Sequence, residues 1–168
     1  MMRRRDNERE RGGVALGALA ILVVAAVIGL VQNRFSGHPL PPFASEAALR
    51  PAVASGVSYI DLAGAKAMFD ATSALFIDAR PPEEYDAGHV PGAVNLPSDE
   101  FAKAYARLAP TIERARALVC YCEGLTCDRS SVVANLLAAR GHSHVFILFS
   151  GWDQWQAAGY PSEGSSRQ

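Results

Sequence analysis

The chain has 168 residues, enough for one ordinary domain plus a flanking segment. With 49% of residues in the apolar set and 20% charged it is a folding sequence rather than a disordered one. Sixteen Lys and Arg against 17 Asp and Glu leave a net charge of −1, which removes broad electrostatic attraction to nucleic acid as the default reading. Three cysteines are too few for a disulfide scaffold.

Residues 1–11 form a basic tail holding Arg3, Arg4, Arg5, Arg9 and Arg11. Residues 12–33 carry no charge, and Val14 to Val31 reads VALGALAILVVAAVIGLV. As a helix those residues rise roughly 27 Å, close to the hydrocarbon thickness of a bilayer. The segment lacks the polar stripe of a core helix, and the residues after it offer no A-x-A-like cleavage site. It is expected to be a retained single transmembrane helix. The arginine excess before it predicts a cytoplasmic N-terminus, with the rest outside, which in a bacterium is the periplasmic side of the inner membrane. Residues 34–56, with Pro39, Pro41, Pro42 and Pro51, read as an extended Pro/Ala-rich linker. Residues 163–168 read as a polar tail.

Between them, residues 57–162 alternate short apolar runs with helical spacing. Tyr59-Ile60 is an expected edge strand, followed by a helix over Leu62–Phe69. Ala74–Asp78, Ala93–Asn95, Ala117–Tyr121 and Val145–Phe149 are expected strands. Helices are expected over Ser98–Leu108 (Ser98 as N-cap), Ser130–Arg140 (closed by Gly141) and Trp152–Ala158. Apolar runs separated by helices give an α/β fold, a mainly parallel sheet with helices on both faces. Ligands of such sheets bind at the carboxyl ends of the strands, which selects the residues after Asp78 and after Tyr121.

Cys122 ends a central strand, and Glu123, Gly124, Leu125, Thr126, Cys127, Asp128 and Arg129 lead from it into a helix. Backbone N–H groups and the helix dipole in such a loop favour a thiolate and hold an oxyanion. Cys122 is therefore the candidate nucleophile, and Cys120, inside the strand, a buried hydrophobe. His89 resembles a general base. His38, His142 and His144 are expected to be solvated, and Trp152 and Trp155 to pack a helix on the sheet. The three thiols lack a fourth ligand nearby, so no metal site is expected, and no cofactor motif is present.

Three stretches together resemble single-domain rhodanese-like sulfurtransferases. They are Phe76 to Pro97 (FIDARPPEEYDAGHVPGAVNLP), Val119-Cys120-Tyr121-Cys122 through the helix to Gly141, and Gly151-Trp152 to Pro161. The resemblance implies that Cys122 takes up sulfane sulfur as a persulfide and passes it to a thiol or to cyanide. It makes residues 123–129 the substrate-binding loop and Asp78 and Arg80 residues that brace it, and it places His89 in a Gly-His-x-Pro-Gly turn, where a structural hydrogen bond rather than base catalysis is expected. The implied partners are a small sulfur-containing anion or persulfide donor and a thiol or protein acceptor, with no nucleic acid. The loop is two residues longer than the family's common Cys-x-x-Gly-x-Arg-Ser. The spacing Cys122-x4-Cys127 also admits a redox pair that closes reversibly as a disulfide. A thiol-disulfide redox protein is thus the first alternative, and a catalytically silent binding module the second.

Overall fold

The computed structural model describes residues 20–29, 31–32, 50–124 and 127–164. The chain falls into two units, Met1–Ala48 and Leu49–Gln168. In the first, residues 20–29 and 31–32 are helical, and Ile21, Leu22, Val24, Val27 and Ile28 expose their side chains. Among the described residues no helix is long and apolar enough to cross a membrane. The remainder of the expected span, the basic tail and the first part of the linker, His38 included, lie outside the described residues.

The second unit is built in the order β1 (Val57–Ile60), α1 (Leu62–Asp70), β2 (Leu75–Asp78), α2 (Pro82–Ala87), β3 (Val94–Asn95), α3 (Phe101–Ile112), β4 (Leu118–Tyr121), α4 (Arg129–Ala138), β5 (Val145–Leu148) and α5 (Gly151–Ala157). The strands form one sheet ordered β1-β5-β4-β2-β3, and every pairing is parallel. Parallel pairing needs a crossover between strands, so helices cover both faces and the strands are apolar on both sides. Alternation along β4 shows this. Leu118 and Cys120 enter one core with Ile77, Ile147, Val133 and Leu137. Val119 and Tyr121 enter the other with Phe76, Leu148, Trp152 and Trp155.

Several expected boundaries are corrected. Helix α3 begins at Phe101, not Ser98, because the Ser98 hydroxyl turns to the Asp99 carboxylate (3.2 Å) and residues 98–100 form a turn. It then runs through Pro110 to Ile112, whose fully buried side chain holds the last turn in place. Helix α2 was not expected, although Pro82 at its start and Glu83 and Glu84 in its first turn are helix-opening residues. Packing also starts ahead of Val57. Val53 lies against the core, Ala54 N–H donates to Asn135 Oδ1 (2.8 Å), and the Tyr59 hydroxyl donates to the Pro51 carbonyl (2.7 Å). At the other end Glu163 pairs its backbone with His89 in both directions, so the tail is tied down as far as that residue.

Candidate active site

Strands β2 and β4 are neighbours, and their last residues, Asp78 and Tyr121, stand side by side in register. Both following segments therefore emerge at one edge of the sheet, as the parallel topology requires.

After β2 the chain makes a closed polar corner. Asp78 is completely buried and Arg80 is 3% exposed. Arg80 Nε donates to Asp78 Oδ1 at 3.0 Å and Nη2 to Oδ2 at 2.6 Å, a two-pronged charged pair. The Arg80 backbone N–H adds a bond to Oδ1 (2.9 Å), and Nη2 also reaches the Gly88 carbonyl (2.7 Å). Burial alone lowers the guanidinium's proton affinity, but the hydrogen bonds and charge of Asp78 outweigh it, so its pKa is raised. The guanidinium lies 4.7 Å from the centre of the Trp152 ring.

After β4, Cys122 is buried, at 1% exposure, and its carbonyl accepts the Trp152 N–H (2.9 Å). Arg80 thus bears on the start of the loop through Trp152. Seating α5 this closely requires Gly151: a Cβ there would stand 2.7 Å from Tyr121 Cβ and 3.0 Å from Leu148 Cγ. The preceding Ser150 turns the chain with a left-handed φ of 51°.

Cys122 Sγ lies 3.4 Å from Ser130 Oγ, in the first turn of α4, and 3.5 Å from the Cys127 carbonyl oxygen. That first turn leaves backbone N–H groups without intrahelical partners, next to the sulfur. Cys122 and Cys127 are joined as a disulfide, their Cα atoms 6.5 Å apart. With no thiol proton in that form, the Ser130 hydroxyl is the donor to Cys122 sulfur. Gly124 accepts the Cys127 N–H (3.1 Å), and Arg129 Nη1 pairs with Glu123 Oε1 (3.3 Å). Asp128 is exposed. Leu125 and Thr126 lie outside the described residues.

Cys120 is fully buried in the same core as Cys122, one strand repeat deeper, and burial pushes its thiol far above the ordinary range. Burial of this kind favours the neutral thiol over the thiolate. His89 Nδ1 donates to the Tyr85 carbonyl (2.8 Å), and its ring stacks on Tyr85 at 3.7 Å. His144 is exposed. His142 is not simply solvated: it is half-buried, with Nε2 3.0 Å from the Tyr105 hydroxyl. Trp155 is buried in the second core and donates Nε1–H to the Pro161 carbonyl (2.7 Å).

Three contributors to the site were missed from sequence. Trp152 was assigned to packing alone, yet its backbone holds the Cys122 carbonyl. Ser130 carried a signal, since it follows Arg129 at the opening of the helix, but it was not singled out. Glu84, on α2, faces the Glu123 carboxylate; burial, then that hydrogen-bonded neighbour and its charge, raise its pKa, against the opposing pull of Arg80 and Arg129. A pocket of about 270 Å³ opens beside the loop, between Pro81–Glu83 and Pro97–Glu100, with Arg129 on its wall.

Residues 61–158 match the Rhodanese-like domain family, and the chain belongs to it. It is 36% identical over 92 residues to an HTH-type transcriptional regulator of Mycobacterium tuberculosis, covering 55% of this chain and 38% of the regulator. It is 32% identical over 77 residues to the tRNA uridine(34) hydroxylase of Escherichia fergusonii, covering 44% of this chain and 22% of the hydroxylase. The chain therefore spans well under half the length of these relatives. Among solved structures, the rhodanese-like domain of an Anabaena protein is 27% identical with a TM-score of 0.55, covering 66% of this chain and 81% of that one. A human single-domain sulfurtransferase has the same fold, at 21% identity and a TM-score of 0.50, covering 59% of this chain and 95% of that one.

Proposed function

We propose that the domain is a sulfurtransferase in which Cys122 carries sulfane sulfur as a persulfide. The observation that supports this best is the position of the Cys122 sulfur, at the carboxyl end of the central strand and 3.4 Å from Ser130 in the opening turn of α4. Once reduced, the Cys122 thiolate attacks the outer sulfur of a donor. A new S–S bond forms on Cys122, the donor's S–S bond breaks, and the donor leaves with the electron pair. The partial positive charge at the opening of α4 favours the anionic persulfide. An acceptor thiolate or cyanide then attacks the outer sulfur and frees Cys122. The uncharged stretch Val14–Val31, with arginines ahead of it, supports tethering of the domain to a membrane on its outer face.

The test is the intact mass of the reduced protein after exposure to a sulfane-sulfur donor. With Cys127→Ser as the parent, so that no disulfide can close, the protein should gain the mass of one sulfur atom, with or without Cys120→Ser; adding Cys122→Ser should abolish the gain. Full reaction of Cys122→Ser overturns the assignment. For the tether, a reporter enzyme active only outside the cytoplasm, fused after Gln168, should be active; activity of a cytoplasm-only reporter instead overturns the orientation. The Cys122–Cys127 disulfide favours a second reading, a thiol-disulfide redox protein, in which Cys122→Ser abolishes disulfide exchange and no persulfide forms on any variant.

A further inference from the structure

The disulfide bonds a second sulfur to Cys122 Sγ, the atom on which the proposed persulfide forms, and the two cysteines differ in access. Cys122 is buried, whereas Cys127 is half-buried and sits at the junction of the loop and α4. The fold brings Cys127 Sγ into bonding contact with Cys122 Sγ with the strand end, Trp152 and α4 all in place. The loop is long enough to carry a cysteine back to the strand end, with Gly124 taking the Cys127 N–H to close the turn.

We propose that Cys127 is a resolving thiol, and that the domain reduces sulfane sulfur to sulfide as well as transferring it. This rests on the persulfide reading of Cys122. In the first step the Cys122 thiolate takes sulfur from the donor; from thiosulfate, sulfite leaves with the electron pair of the broken S–S bond. In the second, Cys127 sulfur attacks Cys122 Sγ rather than the outer sulfur. The Sγ–Sγ bond forms, the bond from Cys122 Sγ to the outer sulfur breaks, and the outer sulfur leaves with that electron pair as hydrosulfide. The Cys127 thiol proton goes to the departing sulfur or to solvent. Two thiols have been oxidised by two electrons, and one sulfane sulfur has been reduced to sulfide. The disulfide structure is the product of that step.

Turnover then needs an external dithiol reductant. Because Cys127 is the more accessible sulfur, such a dithiol attacks Cys127 and expels Cys122 as the leaving thiolate, the one favoured by the helix opening. The reductant's second thiol then closes on its first, and both cysteines are returned reduced. Partition between transfer and release is set by competition: an acceptor that reaches the outer sulfur first receives it, and otherwise Cys127 discharges it.

The experiment uses the full chain, reduced and freed of reductant, with thiosulfate and, separately, benzenethiosulfonate as sulfur donors; each gives up its outer sulfur by S–S cleavage and leaves as sulfite or benzenesulfinate, and neither brings sulfide or a thiol with it. Wild type should release about one sulfide per chain, end with the mass of the Cys122–Cys127 disulfide, and hold no added sulfur. Cys127→Ser should gain the mass of one sulfur atom on Cys122 and lose sulfide release. Added dithiothreitol should make sulfide release by wild type catalytic. If wild type and Cys127→Ser both retain the added sulfur and neither releases sulfide, Cys127 is not a resolving thiol and the inference fails while the sulfurtransferase reading stands. If Cys127→Ser gains no sulfur from either donor, the sulfurtransferase reading itself fails, and this inference with it.

Discussion

The two segments that leave the sheet beside each other, after Asp78 and after Tyr121, are held by different kinds of bond. At the first, a buried carboxylate accepts two guanidinium N–H bonds, at 3.0 and 2.6 Å, and the Arg80 backbone N–H at 2.9 Å, and the guanidinium ties in Gly88 as well. At the second, the tie is covalent but reversible: one disulfide, with a longer Arg129–Glu123 contact at 3.3 Å beside it. No redox change alters the first corner, whereas two electrons open the second. A reactive loop can afford to be opened because the platform next to it does not depend on it.

Breaking the platform should therefore have the largest effect. Arg80→Ala leaves Asp78 as a buried, uncompensated carboxylate, and removing one partner of such a pair costs on the order of 3–5 kcal/mol. Chemical denaturation should show that loss. Replacing both residues with apolar ones of similar volume should recover much of it. An Arg80→Ala protein as stable as wild type would mean that Asp78 finds another partner and that the corner is not the fixed part of the edge.

Next comes the contact that joins the two regions. Gly151→Ala forces a Cβ to within 2.7 Å of Tyr121 Cβ, so α5 must move off β4. Overpacking of this kind costs roughly 2–3 kcal/mol. Because Trp152 moves with α5, the Cys122 carbonyl loses its donor, and persulfide loading should slow together with the fall in stability. A stability loss with unchanged loading would separate the platform from the loop.

Opening the loop itself should cost less. The disulfide closes a short stretch, with a sequence separation of 5, so its chain-entropy contribution is roughly 2 kcal/mol. Thermal unfolding with and without dithiothreitol measures it, and Cys127→Ser, which cannot close the loop, should show no such difference. A reduced wild type that unfolds under native conditions would make the disulfide structural and leave no place for a reversible step.

The same division governs what sequence reasoning could find. Apolar strands flanked by helices are a local pattern, and β1, β2, β4 and β5 appear within a residue or two of where that pattern puts them. The placing of Cys122 between a strand end and a helix was legible because both features are local. The opening of α3 was not, since Ser98 has the chemistry of a cap but spends its hydroxyl on Asp99, and buried Phe101 decides where the helix starts. Helix α2 has a local signal in Pro82-Glu83-Glu84, but at six residues it is too short for an apolar period to mark it. The approach of Glu84 to Glu123 had no sequence signal at all, because it exists only once α2 and the loop after β4 meet across the edge.

That last contact gives the smallest and most specific prediction. Burial and the neighbouring Glu123 carboxylate raise the Glu84 pKa above its usual value of 4.5. The folded protein then holds the Glu84 proton more tightly than the unfolded chain does. The sign follows by linkage: the contribution to stability is complete below the ordinary glutamate pKa and is lost as pH rises through the raised value in the folded state. Glu84→Gln keeps a hydrogen-bond donor toward Glu123 and removes the titration. Unfolding curves collected from just below pH 4.5 upward should show wild type losing stability relative to Glu84→Gln as pH rises, then a constant gap once Glu84 is fully ionised. Glu84 is partly exposed and Arg80 and Arg129 offset its charge, so the gap should be small and should shrink further in high salt. A gap that widens toward low pH instead would mean that Glu84 is held ionised by those two arginines, and that α2 is joined to the loop by charge attraction rather than by a shared proton.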